Sequence, residues 1–499
     1  MNRQHPYLQK INLLFTSINQ VNPYYLVLLV LCGHFLSFAP HTNEEAYFPL
    51  AKHFIDPSWM TGSFVFGEWP GTRLLYQYIA GFFLKYMSFE SLSFWSRLVI
   101  FIASAFPLTK LFKHFNFSNI TLLIILELFL IHQSWIGGEY IFGGFETKSL
   151  AYIFILFSLV SLFKKHYWYF IILSVAGSYF HVLVGIWYTL FALTYILIYE
   201  RSVVLPVKLG ISYSILLSPF IYFLSLHILG GSNIIEGVNI DWVYSYYRNP
   251  HHCVPFSRSV WPRVVLPSLI QIIISSILLF TLLRKKRSQQ SDQFFWMMVV
   301  IFFMLWAAII ISLLDTTGSI TKYYLFRINS IGALIFYIYV FWWIKRFYPV
   351  LARKAGYFLF FLFLIPVFIG KTTSNIKNNY LQKADSEYIE MIDFIKTNTN
   401  GDDILIEHAK LPTSFMRTVE RESFVVRKLV PGGGEKIYEW YIRMEMLKSF
   451  RNNFNEIDSI CTKYKIDYII TKKAFNQAGL TCVFQNDKYN VYQIDNNKQ

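Results

Sequence analysis

FFWMMVVIFFMLWAAIIISLL, residues 294–314, holds 21 residues without one charge, and Arg284-Lys285-Lys286-Arg287 precedes it. About 20 predominantly apolar residues suffice to cross a bilayer. Lipid offers backbone N–H and C=O groups no partner, so such a run must close its own hydrogen bonds as a helix. Working outward, similar runs recur near 24–40, 95–112, 119–136, 149–163, 167–182, 184–199, 203–226, 263–283, 323–344 and 355–370. Several are short, and tilt or local thinning would absorb the mismatch. The expected fold is a polytopic α-helical membrane protein of about 11 spans with a C-terminal α/β domain.

Composition agrees. Of 499 residues, 55% are apolar and 15% charged, against about 25% charged in soluble domains. Residues 371–499 carry 19 basic and 17 acidic side chains, whereas residues 1–370 carry 26 and 13. A purely soluble enzyme, a disordered chain and a disulfide-rich secreted module are excluded. The expected division is a membrane domain over 1–370 and a soluble domain over 371–499.

Lys110/Lys113, Lys164/Lys165, Arg201, Arg284–Arg287 and Lys345/Arg346/Arg353/Lys354 fall at alternate ends of the spans. The positive-inside rule then places those ends in the cytoplasm. The N-terminus, with Arg3 and Lys10, lies on the same side, and the C-terminal domain is extracytoplasmic. Residues 73–91 are apolar, but counting them as a crossing would invert every later loop, so they read as an interfacial or re-entrant helix. The first 20 residues lack a continuous apolar core and a small-residue cleavage site, so the first span reads as a permanent anchor. The expected external segments are 41–72, 137–148, 227–262 and 315–322. The cytoplasmic links hold no P-loop or GxGxxG signature, so nucleotide chemistry inside the cell has no support. The basic residues read as topology signals and contacts to membrane lipid, with no nucleic-acid surface.

In the last quarter, Asp385–Thr397 has a helical pattern. Asp403–Glu407, Ser423–Arg427, Asp467–Thr471, Cys482–Gln485 and Tyr489–Ile494 read as short strands, with helices over 439–452 and near 455–465. Strands alternating with helices suggest a small α/β layer domain. Pro431-Gly432-Gly433-Gly434 marks a loop. Cys461 and Cys482 read equally as a disulfide in an oxidising compartment or as two thiols.

Candidate chemistry gathers in the external segments. His41-Thr42-Asn43-Glu44-Glu45 follows the first span directly. Two carboxylates at a membrane surface are costly to desolvate, and Glu44 or Glu45 could act as a general base or a metal ligand. The alternative is a helix start capped by Asn43, with both acids complementing the dipole. The second segment places four glycines, Gly137, Gly138, Gly143 and Gly144, around Glu139, Glu146 and Lys148. Lys148 could hold a phosphate as a point charge, or pair with Glu146 at a turn. The third contains Arg248-Asn249-Pro250-His251-His252-Cys253 and Arg258, a cationic patch that phosphate or a divalent metal would suit. No Cys/His set has zinc-finger spacing. His181, between two apolar runs, reads as a hydrogen-bonded residue or a site member. Arg327 opens a span, where a guanidinium needs an anion or carbonyl partners, or snorkels to the interface. Glu127, mid-helix, is expected to make an interhelical hydrogen bond or to be protonated.

The acidic pair after the first span, the acids Glu139 and Glu146 of the second loop and the outer C-terminal domain resemble the GT-C superfamily of membrane glycosyltransferases. That superfamily includes oligosaccharyltransferase catalytic subunits, protein O-mannosyltransferases and aminoarabinose transferases of lipid A. The stretches Phe394–Thr399 with Asp402–Leu405, and Phe415-Met416-Arg417 through Glu420–Val425, look like the start of the domain after the last span in such enzymes. The WWDYG signature of oligosaccharyltransferase subunits does not occur, which argues against peptide-sequon glycosylation. The stretches Pro250-His251-His252 and Glu146–Tyr152 look more like a bacterial branch of the superfamily.

The resemblance implies a bacterial inner-membrane enzyme that moves a sugar from a polyprenyl-phosphate-linked donor to a glycan, lipid or protein acceptor. Glu44 or Glu45 would be the base. Arg327 with Lys148, Arg248 and Arg258 would meet the donor phosphate, and Glu139, Glu146, His181, His251 and His252 are further site candidates. A lipid-linked glycan polymerase or ligase, or a polysaccharide flippase, is the alternative. Intramembrane charges are sparse and no repeat is visible, which weighs against a transporter.

Overall fold

A computed structural model describes residues 6–61, 63–66, 71–228, 233–257, 260–283, 288–380, 385–477 and 479–494. Arg3, Arg258 and the Arg284–Arg287 cluster lie outside the described residues. The chain divides into two compact units. Unit 1 comprises residues 1–37, 94–223 and 245–378, and unit 2 comprises 38–93, 224–244 and 379–499.

Unit 1 is helical, and each apolar run of the sequence forms a helix. Seven described helices are long and apolar enough to cross a membrane: Phe89–His114, Val182–Tyr199, Val204–Ser225, Leu266–Leu283, Gln289–Leu314, Asn329–Phe347 and Pro349–Asn379. An eighth candidate is a pair, Leu13–Gln20 and Pro23–Phe35, bent by 96°. Proline at the first position of the second helix, with Asn22 accepting the N–H of Tyr24, starts a new helix at that bend. Asn119–Ile131, Thr147–Phe163 and Tyr167–Phe180 are shorter apolar helices, as is Leu74–Leu84 in unit 2.

Small polar residues tie the bundle together. Ser158 and Ser174 hydroxyls meet at 2.9 Å, and Ser178 meets the Tyr213 hydroxyl at 2.7 Å. Such bonds in lipid are worth about 1 kcal/mol each. Glu127, fully buried, makes the interhelical bond its sequence called for: Oε1 lies 2.7 Å from His34 Nε2.

Two expectations shift. The span placed at 323–344 begins as a helix only at Asn329. A 3₁₀ turn, Thr321–Tyr323, and left-handed backbone at Tyr324 (φ 54°) interrupt the chain before it, so Arg327 sits ahead of the helix rather than inside it. Lys148, assigned to a loop, lies in the first turn of Thr147–Phe163.

Unit 2 contains a two-residue antiparallel hairpin, β1 (Ile234–Ile235) with β2 (Val238–Asn239). Its main sheet holds β3 (Ile404–Glu407), β4 (Glu422–Ser423), β5 (Tyr468–Thr471), β6 (Leu480–Gln485) and β7 (Asn490–Ile494). The order is β4-β3-β5-β7-β6, with β3 parallel to β4 and β5, and β7 antiparallel to β5 and β6. Helix Ser386–Asn398 buries Met391, Ile392 and Ile395 against Leu405, Ile470 and Val491 of the sheet.

Strand Ser423–Arg427 is shortened to Glu422–Ser423, because β4 is an edge strand that pairs only with β3 and turns away after the Phe424 N–H reaches Leu405 O. A five-residue helix, Phe415–Val419, was not foreseen; Phe415, Met416 and Val419 are its buried side. Gly433 takes φ 84° as expected of a loop, but Gly434 already opens helix Gly434–Asn452. Cys32, Cys253, Cys461 and Cys482 are all free thiols, so no disulfide joins Cys461 to Cys482.

Candidate functional site

In unit 1, the turn Trp135–Tyr140 is pinned to the start of helix Asn329–Phe347. Asn329 Nδ2 donates to Ile136 O (2.6 Å), and the Glu139 N–H donates to Ser330 Oγ (3.1 Å), which in turn donates to Glu139 O. Gly137 permits the turn. Its φ is +64°, and a Cβ there would meet the Phe326 ring at 2.8 Å.

Pinned this way, the Glu139 carboxylate gathers three basic side chains. Arg327 Nη1 lies 2.5 Å from Oε1, Lys148 Nζ 2.7 Å from Oε2, and His252 Nε2 3.3 Å from Oε1. Lys148 also reaches Glu146 at 3.3 Å and lies 3.6 Å from the centre of the Tyr140 ring, whose hydroxyl donates to Glu146 at 2.5 Å. Arg327 lies 4.5 Å from the Tyr324 ring.

Glu146, Lys148 and Arg327 are buried. Burial alone would raise the pKa of Glu139, but the charges of Arg327, Lys148 and His252 outweigh it and hold the group well below its ordinary value. Two permanent cations thus balance two carboxylates. Arg327 Nε and Nη1 are both buried without a partner of hydrogen-bond geometry among the described residues, so Nη1 meets Glu139 as an ion contact. A guanidinium presents five N–H donors in a plane, and Glu139 occupies only part of it. An orphaned buried N–H is costly, and an anion on that side would fill it.

Beside Glu139 lies a cavity of about 360 Å³, lined by His132, Gln133, Glu139, Tyr140, His251 and His252 among others. The His251 and His252 rings are 4.0 Å apart.

Asp315 builds the loop that leads to Arg327. Its carboxylate accepts N–H bonds from Gly318 (2.9 Å), Ser319 (3.2 Å), Ile320 (2.8 Å) and Thr321 (2.8 Å). Although burial opposes it, these bonds and the Thr317 and Thr321 hydroxyls lower its pKa to about 2. Tyr246 donates to Asp315 O at 2.6 Å and Ser245 to Gly318 O at 3.1 Å, joining this loop to the segment that carries His252.

The sequence candidates therefore separate. Glu139, Glu146, Lys148, His252 and Arg327 come together, and His251 borders the same cavity. Arg248 bonds Asn249 Oδ1 at 3.2 Å. His181 caps helix Val182–Glu200, accepting the Val184 N–H at 3.4 Å. Glu146 and Lys148 do pair, but buried within the cluster instead of at a surface turn. Among the described residues no three His, Cys, Asp or Glu side chains converge to hold a metal ion. Tyr140, Tyr324, Ser330 and Asp315 were missed; adjacency to Glu139 and Arg327 was the only signal for the first three.

Unit 2 holds the acidic pair, at the start of helix Glu44–Ile55. Asn43 precedes that helix but makes no side-chain cap; its Oδ1 accepts from Lys428 at 2.6 Å. Glu44 instead folds back to the His41 N–H (2.6 Å) and accepts from Ser93 Oγ (2.9 Å). Glu45 is paired with Arg417 through Nε (2.5 Å) and Nη2 (3.3 Å), while Arg417 Nη1 reaches Glu90 at 2.7 Å. Burial raises the pKa of Glu45 despite Arg417, and the charges of Glu44 and Glu90 add to the rise. Arg417, overlooked as a site residue, also lines a cavity of about 300 Å³ with Lys52, Glu90, Lys396 and Glu420.

No family model and no curated protein matches the chain. Among solved structures, the chain is similar to the crystal structure of ArnT from Cupriavidus metallidurans bound to undecaprenyl phosphate, at 10% identity and a TM-score of 0.49, over 97% of this chain and 98% of that one.

Proposed function

We propose that the protein is an integral-membrane glycosyltransferase that moves a sugar from a polyprenyl-phosphate-linked donor to an acceptor at the extracytoplasmic face. The observation that carries this reading is the buried Arg327 guanidinium, ion-paired with Glu139 yet with Nε and Nη1 lacking hydrogen-bond partners among the described residues. Together with Lys148 it supplies fixed positive charge in a place of low dielectric, where charge developing on a leaving phosphate is stabilised most.

In the reaction the acceptor oxygen or nitrogen forms a bond to the anomeric carbon. The bond from that carbon to the phosphate oxygen breaks, and the lipid phosphate leaves with the electron pair. Arg327 and Lys148 meet the leaving phosphate, and configuration inverts. The acceptor proton goes to a carboxylate base, for which the sequence offers Glu44 or Glu45. Burial raises the pKa of Glu45, which makes it a stronger proton acceptor than an ordinary carboxylate, and Arg417 holds its orientation. Glu146 and Tyr140 position Lys148.

The test is Arg327→Lys and Arg327→Ala in purified protein at limiting polyprenyl-phosphate-linked donor. Lysine offers one point charge in place of a planar fork, so Arg327→Lys should lower donor use about tenfold or more, in line with the loss of one charge-assisted hydrogen bond, and Arg327→Ala further. Equal activity of the arginine and lysine forms would remove Arg327 from the phosphate site.

A further inference from the structure

His252 has an acceptor on each side of its ring. Nδ1 lies 3.2 Å from the Gly137 carbonyl oxygen, and Nε2 lies 3.3 Å from Glu139 Oε1. A carbonyl and an ionised carboxylate only accept. A neutral imidazole has one N–H, so one of these contacts sets a lone pair against an oxygen; the imidazolium satisfies both. Its surroundings nevertheless favour the neutral ring. Burial pushes its pKa down to about 3 against the attraction of Glu139, and the charges of His251 and Arg327 add to the burial. Among the described residues the Tyr324 ring also faces it, its centre 5.8 Å away, and Lys148 acts through Glu139.

An anion reaching the unpartnered N–H groups of Arg327 would change this balance in two ways. It offsets the guanidinium charge that opposes protonation of His252. It also competes with Glu139 for Arg327, and Glu139 then needs another cation, for which His252 is already within 3.3 Å. Resting on the donor-phosphate reading above, we propose that occupation of Arg327 by a phosphate anion is coupled to uptake of one proton by His252, so that Glu139 exchanges part of its pairing with Arg327 for pairing with the imidazolium. The cluster then keeps its charge balance when the phosphate arrives, and the proton is released when the phosphate leaves. His252 is a positioning residue in this scheme: it acts through Glu139.

The sign follows from linkage. A group whose pKa is higher in the bound state takes up a proton on binding, so affinity rises as pH falls through the bound-state pKa and becomes flat below the free value. The probe is a polyprenyl phosphodiester sugar, which has no phosphate ionisation between pH 5 and 9. Binding to the full-length protein in detergent is measured by titration calorimetry in two buffers of different ionisation enthalpy, from pH 8 down to pH 5. The expected result is net proton uptake that grows toward one per bound lipid as the pH is lowered, and that is lost in His252→Gln but kept in His251→Gln. Binding without proton uptake by the unmodified protein would overturn the coupling while leaving the phosphate reading intact. So would uptake unchanged in a folded His252→Gln, or uptake lost only in His251→Gln. No binding, or binding indifferent to Arg327→Ala, would overturn the phosphate reading and the coupling with it.

Discussion

Glu44 and Glu45 are neighbours in the first turn of one helix, both buried, and differ in their partners. Glu44 is fully buried and spends its carboxylate on the His41 N–H and Ser93. Glutamine keeps an accepting oxygen but turns the charge-assisted bonds from His41 and Ser93 into neutral ones and buries an NH2 group, so Glu44→Gln is expected to lower stability. Glu45 is held by Arg417, and burial raises its pKa. Glu45→Gln should lower transfer by about 10²–10⁴, the usual loss for a general base, with the protein still folded in the membrane. Activity measured beside detergent-solubilised yield separates the two effects. Wild-type product from both single variants and from the double variant would place the base elsewhere.

At the scale of elements, the turn at Gly137 and the sheet of unit 2 each make a quantitative expectation. Gly137→Ala puts a side chain into left-handed backbone and against Phe326. It should destabilise the protein by about 1–3 kcal/mol, the range for strained backbone, and loosen the turn that aims Glu139. Thermal unfolding in detergent reads the first effect, and donor KM the second; an unchanged midpoint would show that the turn can relax.

In the sheet, Glu407 on β3 and Glu422 on β4 are buried, and each has one carboxylate oxygen without a hydrogen-bond partner among the described residues. Burial raises Glu407 to about 7 despite Ser423 and Arg451, and raises Glu422 to about 8, with the charge of Glu407 adding. Folded values above the ordinary 4.5 mean that the folded state binds these protons more tightly. Their stabilising contribution is therefore complete below about pH 4.5 and is lost as pH rises through about 7 to 8. Amide exchange over 404–407 and 468–471 should be faster at pH 9 than at pH 6, beyond the intrinsic pH effect, and Glu422→Gln should reduce the difference. Equal protection at both pH values would mean the carboxyls are solvated.

For the whole molecule, orientation in the membrane is the claim with the widest reach, since it places every candidate residue on one face. It rests on alternating basic ends. A reporter fused after Lys371 should be active only outside the cytoplasm, and one fused after Arg287 only inside. The reverse at either site would move the chemistry to the opposite face.

Local composition alone accounts for much of the fold. Each uncharged run became a helix because lipid leaves backbone no other partner. Helix Ser386–Asn398 and four of the five main strands followed their periodicity. That Glu139, Lys148 and Arg327 would need partners was also legible, since a charge beside an apolar run is costly wherever it ends up. Their partnership was not. Arg327 called for an anion, and the sequence left phosphate, carbonyl or snorkelling equally open; only the fold brings Glu139 to 2.5 Å. Likewise, no periodicity marks Arg417 as the partner of Glu45, or Asp315 as the acceptor around which a loop closes. Period and composition report the surroundings a residue needs. Which distant residue supplies them depends on how helices pack and where turns are pinned, and that is settled only in three dimensions.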